Sequence, residues 1–224
     1  MIGTLRESSL HASLKELYKC PGDELEALRE GYVVDLAREH ELVEFQTGNF
    51  GSMRAKLGAL LLGHRVRVVH PVAVETTIVR IDENGAVRSR RRSPARGCHL
   101  SLFDELVALP VLATHPSLTF EVVLVRVEEH RLDAPRTRRR RKPWRVADRV
   151  LVERLESRTF GGAAGLGRVL PDGLGEPFST LELALILEIP RDLAQRLAYT
   201  LREAGIIAAA GRNGRAVAYR RVRP

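Results

Sequence analysis

Gly31-Tyr-Val-Val-Asp-Leu-Ala-Arg-Glu-His-Glu-Leu-Val-Glu-Phe-Gln-Thr-Gly-Asn-Phe-Gly-Ser-Met-Arg-Ala-Lys56 is the stretch on which the fold turns. Two runs of β-branched and apolar residues, Tyr32 to Ala37 and Leu42 to Gln46, flank a charged turn at Arg38 to Glu41, which predicts a β-hairpin. One acid lies in each strand. Glu44 and Gln46 project from the same face, because strand side chains alternate with a period of two, and the simplest hairpin register brings Asp35 close to that face. Two carboxylates converging there repel each other unless a cation or a proton intervenes. Asp35 and Glu44 are therefore candidate ligands of a hard divalent metal.

The flanking segments supply the rest of an α/β unit. Ser8 to Lys19 predicts a helix with Leu10, Leu14, Leu17 and Tyr18 as its apolar stripe, stopped at Pro21-Gly22. Glu7, His11 and Lys15, spaced four apart, share a different face of it. Leu25 to Leu28 predicts a strand that turns at Gly31 into the hairpin. Phe50 to Gly63 reads as an amphipathic helix with Phe50, Met53, Leu57, Leu60 and Leu61 at helical spacing, on which Arg54 and Lys56 read as solvated charges. Arg65 to His70 alternates as a strand that Pro71 ends. The order helix, three strands, helix, strand predicts a mixed sheet flanked by helices.

Asp35, eight residues and then Glu44-Phe45-Gln46 resemble the signature of the PD-(D/E)xK nuclease superfamily, in which an Asp and a Glu hold the metal and a Lys follows the Glu. Val34 stands where the proline would be, and Gln46 where the lysine would be. The resemblance implies a restriction-endonuclease-like fold, Mg²⁺ (or Mn²⁺) on Asp35 and Glu44, and phosphodiester hydrolysis. It offers Glu7 on the first helix as a further acid at the metal, with Glu16 on another face as the alternative. The plainer reading of Glu7 is a solvated contact with His11. Gln46 would orient a water without acting as its base, while His11 or Lys15 would assist proton transfer or hold the phosphate. Arg54 or Lys56 could stand in for the lysine. The whole chain, including Gln-Thr-Gly-Asn-Phe after Val43-Glu44-Phe45, also resembles a prokaryotic family of unassigned activity that carries this nuclease-like domain.

Beyond the first third, Thr76 to Ile81 and Ala86 to Arg88 predict a hairpin across Asp82 to Gly85. A basic loop of five arginines (Arg88 to Arg96), a helix (Ser101 to Thr114) and a long strand (Thr119 to Arg131) follow. A second basic run, Arg136 to Lys142, leads to Trp144, read as the anchor of a domain junction. Both runs suit phosphate contacts. Gly161 to Gly167 lacks the Lys-Ser/Thr ending of a phosphate loop and reads as a flexible turn. Ser179 with Glu182 forms an S-x-x-E capping box. It opens a helix, a turn at Pro190, a second helix (Arg191 to Ala204) and a basic hairpin around Gly211 to Arg215. These resemble a winged helix-turn-helix domain. Its second helix would offer Arg191, Gln195, Arg196, Thr200 and Arg202 to a DNA groove, and its wing Arg212, Asn213 and Arg215. The organisation expected is a nuclease-like domain with extension (1–130), a basic linker (131–147) and a winged helix (148–224).

The 36 Lys+Arg against 28 Asp+Glu leave a net charge of +8, which favours an anionic partner such as DNA over a neutral one. No apolar run approaches the roughly 18 residues of a membrane span, so a cytoplasmic protein without a membrane partner is expected. Cys20 and Cys98 lack the spacing of a zinc site. The function expected is a metal-dependent DNA endonuclease-like protein targeted by a winged helix. The alternative is a non-catalytic DNA-binding or regulatory protein with a degenerate nuclease domain. Many nucleases of the superfamily act as homodimers, and the sequence leaves that point open.

Overall fold

The computed structural model describes residues 8–82, 84–133, 143–214 and 216–222, without the side chain of Asn213. Helix α1 (Ser9–Tyr18) is capped by Ser8, whose Oγ accepts from the His11 amide. A meander of β1 (Glu24–Arg29), β2 (Tyr32–Ala37) and β3 (Leu42–Phe45) follows, antiparallel throughout. A 3-10 turn over Phe50–Met53 runs into α2 (Arg54–Leu60), and the chain returns as β4 (Val66–Ile81), parallel to β3. The predicted order of helix, three strands, helix and strand is thus observed.

Strand β4 continues through Pro71, where the sequence reading stops it. Val69 O accepts from Gln46 N, so Val69 and Pro71, two residues apart, turn their backbone toward the β3 side. Strand β3 has already ended there, paired last at Phe45↔Val69. A proline without an N–H therefore interrupts no ladder. The expected hairpin then forms, but β5 (Val87–Arg92) is an exposed edge strand in place of a basic loop. The helix expected over Ser101 to Thr114 breaks into a 3-10 turn (His99–Leu102), α3 (Phe103–Leu106) and a second 3-10 turn (Leu112–Thr114). Pro110 explains the break, since its ring would clash with the carbonyl four residues back, at Leu106.

Strand β6 (Leu118–Asp133) lies parallel to β4, and β7 (Trp144–Gly161) pairs antiparallel with β6 from Thr119 to Asp133. The result is one seven-stranded mixed sheet, β1-β2-β3-β4-β6-β7 with β5 on β4. Residues 148–161, which the sequence reading gives to the second domain, belong to this sheet, and Trp144 begins its last strand. The second basic run lies outside the described residues.

Both faces of the sheet are covered, so all four residues of β3 are buried, as expected of strands inside a layered sheet. Leu36, Val43, Phe45, Val69, Val123 and Val125 pack under Leu10 and Leu14 of α1. Leu17, expected in that stripe, is 56% exposed. A buried polar network ties down the end of the helix: Tyr18 Oη donates to Glu121 (2.6 Å), which also receives Arg67 (2.9 Å). Val34, Leu42, Val68, Phe120 and Val122 face the other way, toward α2 and α3.

That second core runs on without a break into the C-terminal unit. The unit comprises α4 (Gly162–Gly167), β8 (Phe178–Ser179), α5 (Thr180–Ile186), α6 (Arg191–Glu203), β9 (Ile207–Asn213) and β10 (Ala216–Arg221), with a small sheet in the order β8-β10-β9. The expected flexible turn is α4, a short helix that follows directly on β7. The Ser179–Glu182 capping box forms as expected. Among the described residues no helix is long and apolar enough to cross a membrane.

Candidate active site

Strands β2 and β3 pair only at Leu36↔Val43 and Ala37↔Leu42 and then diverge. Asp35 stands in the fork. Its Oδ2 accepts the Phe45 amide at 2.9 Å, filling the place of the missing ladder partner. Oδ1 faces α1, with His11 Nε2 at 3.3 Å and Lys15 Nζ at 3.7 Å. Lys15 also reaches Glu26 at 3.3 Å. Burial by itself would raise the Asp35 carboxyl, but the His11 bond, the Phe45 amide and the Lys15 charge together hold it below the usual carboxylate range. His11 and Lys15, read from the sequence as sharing one face of the helix, thus gather on Asp35.

Glu44 lies on the next strand, 5% exposed. Burial, with the nearby Asp35 charge adding to it, pushes its carboxyl up to about 7, against the opposing pull of Lys56. Lys56 Nζ stands 2.5 Å from Glu44 Oε1 and donates to the Val33 carbonyl at 2.6 Å. This corrects the solvated reading of Lys56, whose side chain is only 19% exposed. Arg54, by contrast, lies at the surface and binds the Ala108 carbonyl. A signal for Lys56 was present in the sequence: Met53, Lys56, Leu57 and Leu60 fall at i, i+3, i+4 and i+7. A cation within an apolar stripe points at a buried partner.

Gln46 is turned away from the role expected of it. Its side-chain amide donates to the Gly48 carbonyl, while its backbone carbonyl accepts from His70 Nδ1 at 2.7 Å. Burial keeps His70 below the usual histidine range. Glu7 lies outside the described residues, and Glu16 is exposed on α1. Among the described residues no three His, Cys, Asp or Glu side chains form a metal-holding group. Asp35 and Glu44 lie near enough for the Asp35 charge to act on the Glu44 carboxyl, but Asp35 takes its cations from α1 and Glu44 takes its own from α2.

The family model titled "Domain of unknown function (DUF8091)" matches residues 8–161, well over half of the chain. The chain belongs to the DUF8091 family. The matched span begins at the cap of α1 and ends with β7, so Asp35, Glu44 and Lys56 all fall within the DUF8091 domain, and α4 to β10 lie beyond it. An "Uncharacterized protein" of Treponema pallidum (strain Nichols) is 33% identical over 184 residues, 82% of this chain and 73% of that protein. No solved structure matches.

Outside the DUF8091 domain, the residues expected to touch DNA divide. Arg191, Gln195 and Arg212 are exposed. Arg196 pairs with Asp104 of α3 at 2.8 Å and with Asp192 at 3.0 Å. Thr200 is fully buried, so it cannot face a groove as expected; α6 turns that side onto α3 and the common core. Asn213 is in β9 with its side chain undescribed, and Arg215 lies outside the described residues. Thr200 Oγ1 is buried without a hydrogen-bond partner. Thr200→Val is therefore expected to be neutral or to stabilise by up to about 2 kcal/mol in denaturant unfolding, because a buried unpaired hydroxyl is costly.

Proposed function

We propose that this chain is a metal-dependent phosphodiester hydrolase acting on nucleic acid, built on a PD-(D/E)xK-like domain and carrying a winged-helix-like C-terminal unit. The observation that carries the reading is the seating of Lys56 on Glu44 beside Asp35. Two acids from adjoining strands, each with an ammonium (Lys15 on Asp35, Lys56 on Glu44), then stand at one fork, although Gln46 stands at the lysine position of the motif. The strand order β1-β2-β3-β4, with β4 parallel to β3 across α2, supports it. The order α4, β8, α5, α6, β9, β10 supports the second half.

Asp35 and Glu44 fit a divalent cation. Glu44 Oε1 is buried with the Lys56 ammonium as its close partner, and its carboxyl keeps a proton to about pH 7, as expected where one more positive charge is wanted. Asp35 and Glu44 would hold Mg²⁺ or Mn²⁺, which would lower the pKa of a bound water and offset negative charge on the phosphate oxygens. His11 and Lys15 hold Asp35 in its rotamer, and Lys56 holds Glu44. His11 stands 3.3 Å from Asp35 as the imidazole of the site, whereas Gln46 has no proton to exchange.

A second reading is a non-catalytic nucleic-acid-binding protein. The same Lys56 contact favours it, since an ammonium already neutralises Glu44. Metal separates the two. Wild-type protein heated with and without Mn²⁺ should melt several degrees higher with the metal, by linkage to the native state, and should nick supercoiled plasmid only when Mn²⁺ is present. Neither a shift nor nicking leaves the second reading.

A further inference from the structure

Strands β4, β6 and β7 run on past the core, and with β5 their outer halves form a four-stranded arm. Register fixes which side chains share a face of it. Arg91, Ile78, Glu129 and Arg149 form one row across β5, β4, β6 and β7, and Arg80 pairs with Arg131 two residues further along. Directly opposed residues, and residues two apart in a strand, point the same way. This is the face that α1 covers nearer the core. A cavity of about 200 Å³ beside Glu129 and Arg149 is lined also by Leu10, Thr47, Thr76 and Val127. Leu10 adjoins His11 and Thr47 adjoins Gln46, so the arginine face opens beside the candidate site.

The arginines of this face are positioned. Glu129, 7% exposed, takes Arg131 on Oε1 at 2.6 Å and Arg149 on Oε2 at 3.1 Å. The Arg131 guanidinium also lies 3.6 Å above the Trp144 ring. One buried carboxylate thus orients two guanidinium groups and leaves a positive charge in excess. Arg91 is exposed. Arg80 pairs with Asp133 where both are about half exposed, a contact of little strength that an incoming phosphate can displace.

We infer that this face of the arm is a track for a nucleic-acid sugar-phosphate backbone, leading toward Asp35 and Glu44; its destination, though not its binding, rests on the hydrolase reading. Among the described residues the cations that register places on it are arginines, whose fork takes two phosphate oxygens at once. The row crosses three strand spacings, roughly 14 Å, long enough to meet several phosphates at about 3.4 Å of rise per nucleotide.

The test uses the full chain in EDTA, where cleavage is silenced, with labelled duplex and single-stranded DNA over a range of salt. Arg80→Ala/Arg91→Ala removes two charges from the track. Arg90→Ala/Arg92→Ala removes two from the opposite face of β5. The first pair should bind at least tenfold more weakly at physiological salt, with the slope of log K against log salt reduced by about 2. The second pair should stay within twofold of wild type, since charges beyond about 8 Å are screened. Melting curves check that both variants fold, and the exposed single variant Arg91→Ala replaces the first pair if they do not. Equal loss in both pairs, no loss in the first, or binding to anionic vesicles without binding to DNA would overturn the track. Track-dependent binding in a protein that never nicks with Mn²⁺ would sink the hydrolase reading alone.

Discussion

Asp35→Ala and Glu44→Ala are each expected to abolish Mn²⁺-dependent nicking, and Lys56→Met to lower it by roughly 10²-fold or more, in proteins that still unfold cooperatively. Asp35→Ala leaves the Phe45 amide without its acceptor, a loss of about 1–3 kcal/mol, which a domain of ordinary stability survives. Asp35→Asn can keep that contact while removing the charge, so it separates fold from chemistry. Lys56→Met keeps the length and apolar stem of the side chain but removes the ammonium from Glu44 and the donor from the Val33 carbonyl. With the competing cation gone, Mn²⁺ should bind at least as tightly, read as an undiminished melting shift, while single-turnover cleavage falls. A Lys56→Met protein that cleaves at the wild-type rate would make Lys56 a space-filling counterion and nothing more. Loss of the melting shift along with the rate would make it a support of the metal site and not a participant in the chemistry.

The hairpin was legible in the sequence because two runs of β-branched and apolar residues flank a charged turn, but its early divergence into a fork was not, since only Leu36↔Val43 and Ala37↔Leu42 pair. Lys56 was legible only as an exception to the stripe of α2, and the polar face of one short helix does not reveal what lies across from it. Pro71 misled because a proline ends a strand only when its missing N–H has a partner waiting, a fact about β3 and not about residue 71. The basic loop became β5 because the preceding hairpin turn hands Arg88 to Arg92 to an open edge of β4, and arginines suit such an edge by discouraging further pairing. Thr200 was misassigned for a tertiary reason: it borders the apolar side of α6 marked by Leu193, Leu197 and Leu201, and only the packed fold buries its hydroxyl with them. The extent of the large sheet escaped because β7 reaches β6 across the basic run, and charge there reads as a linker.

Stability between pH 5 and 8 is expected to carry the signature of Glu44, isolated by comparison with Glu44→Gln. The carboxyl's pKa rises from an ordinary 4.5 to about 7 in the fold, so over that interval the native state holds a proton that the unfolded chain has released. Its contribution is complete below pH 4.5 and is lost as pH rises through 7, amounting to about 3 kcal/mol for a group so fully buried. His70 and His99 work in the opposite direction. Burial lowers both imidazoles, so the unfolded chain takes up protons first as pH falls, and their contribution grows as pH rises through the ordinary histidine range. The wild-type curve alone is therefore a compromise between these groups. The difference between Glu44→Gln and wild type cancels the histidines, and it should climb by about 3 kcal/mol in favour of the variant from pH 5 to pH 8 in denaturant unfolding. Mn²⁺ should flatten that climb, because a bound cation ionises Glu44 in the native state and restores the balance of protons. A difference that is already flat without metal would mean that Lys56 alone keeps Glu44 ionised, and the fork would then hold a finished ion pair with no charge left for a metal to satisfy.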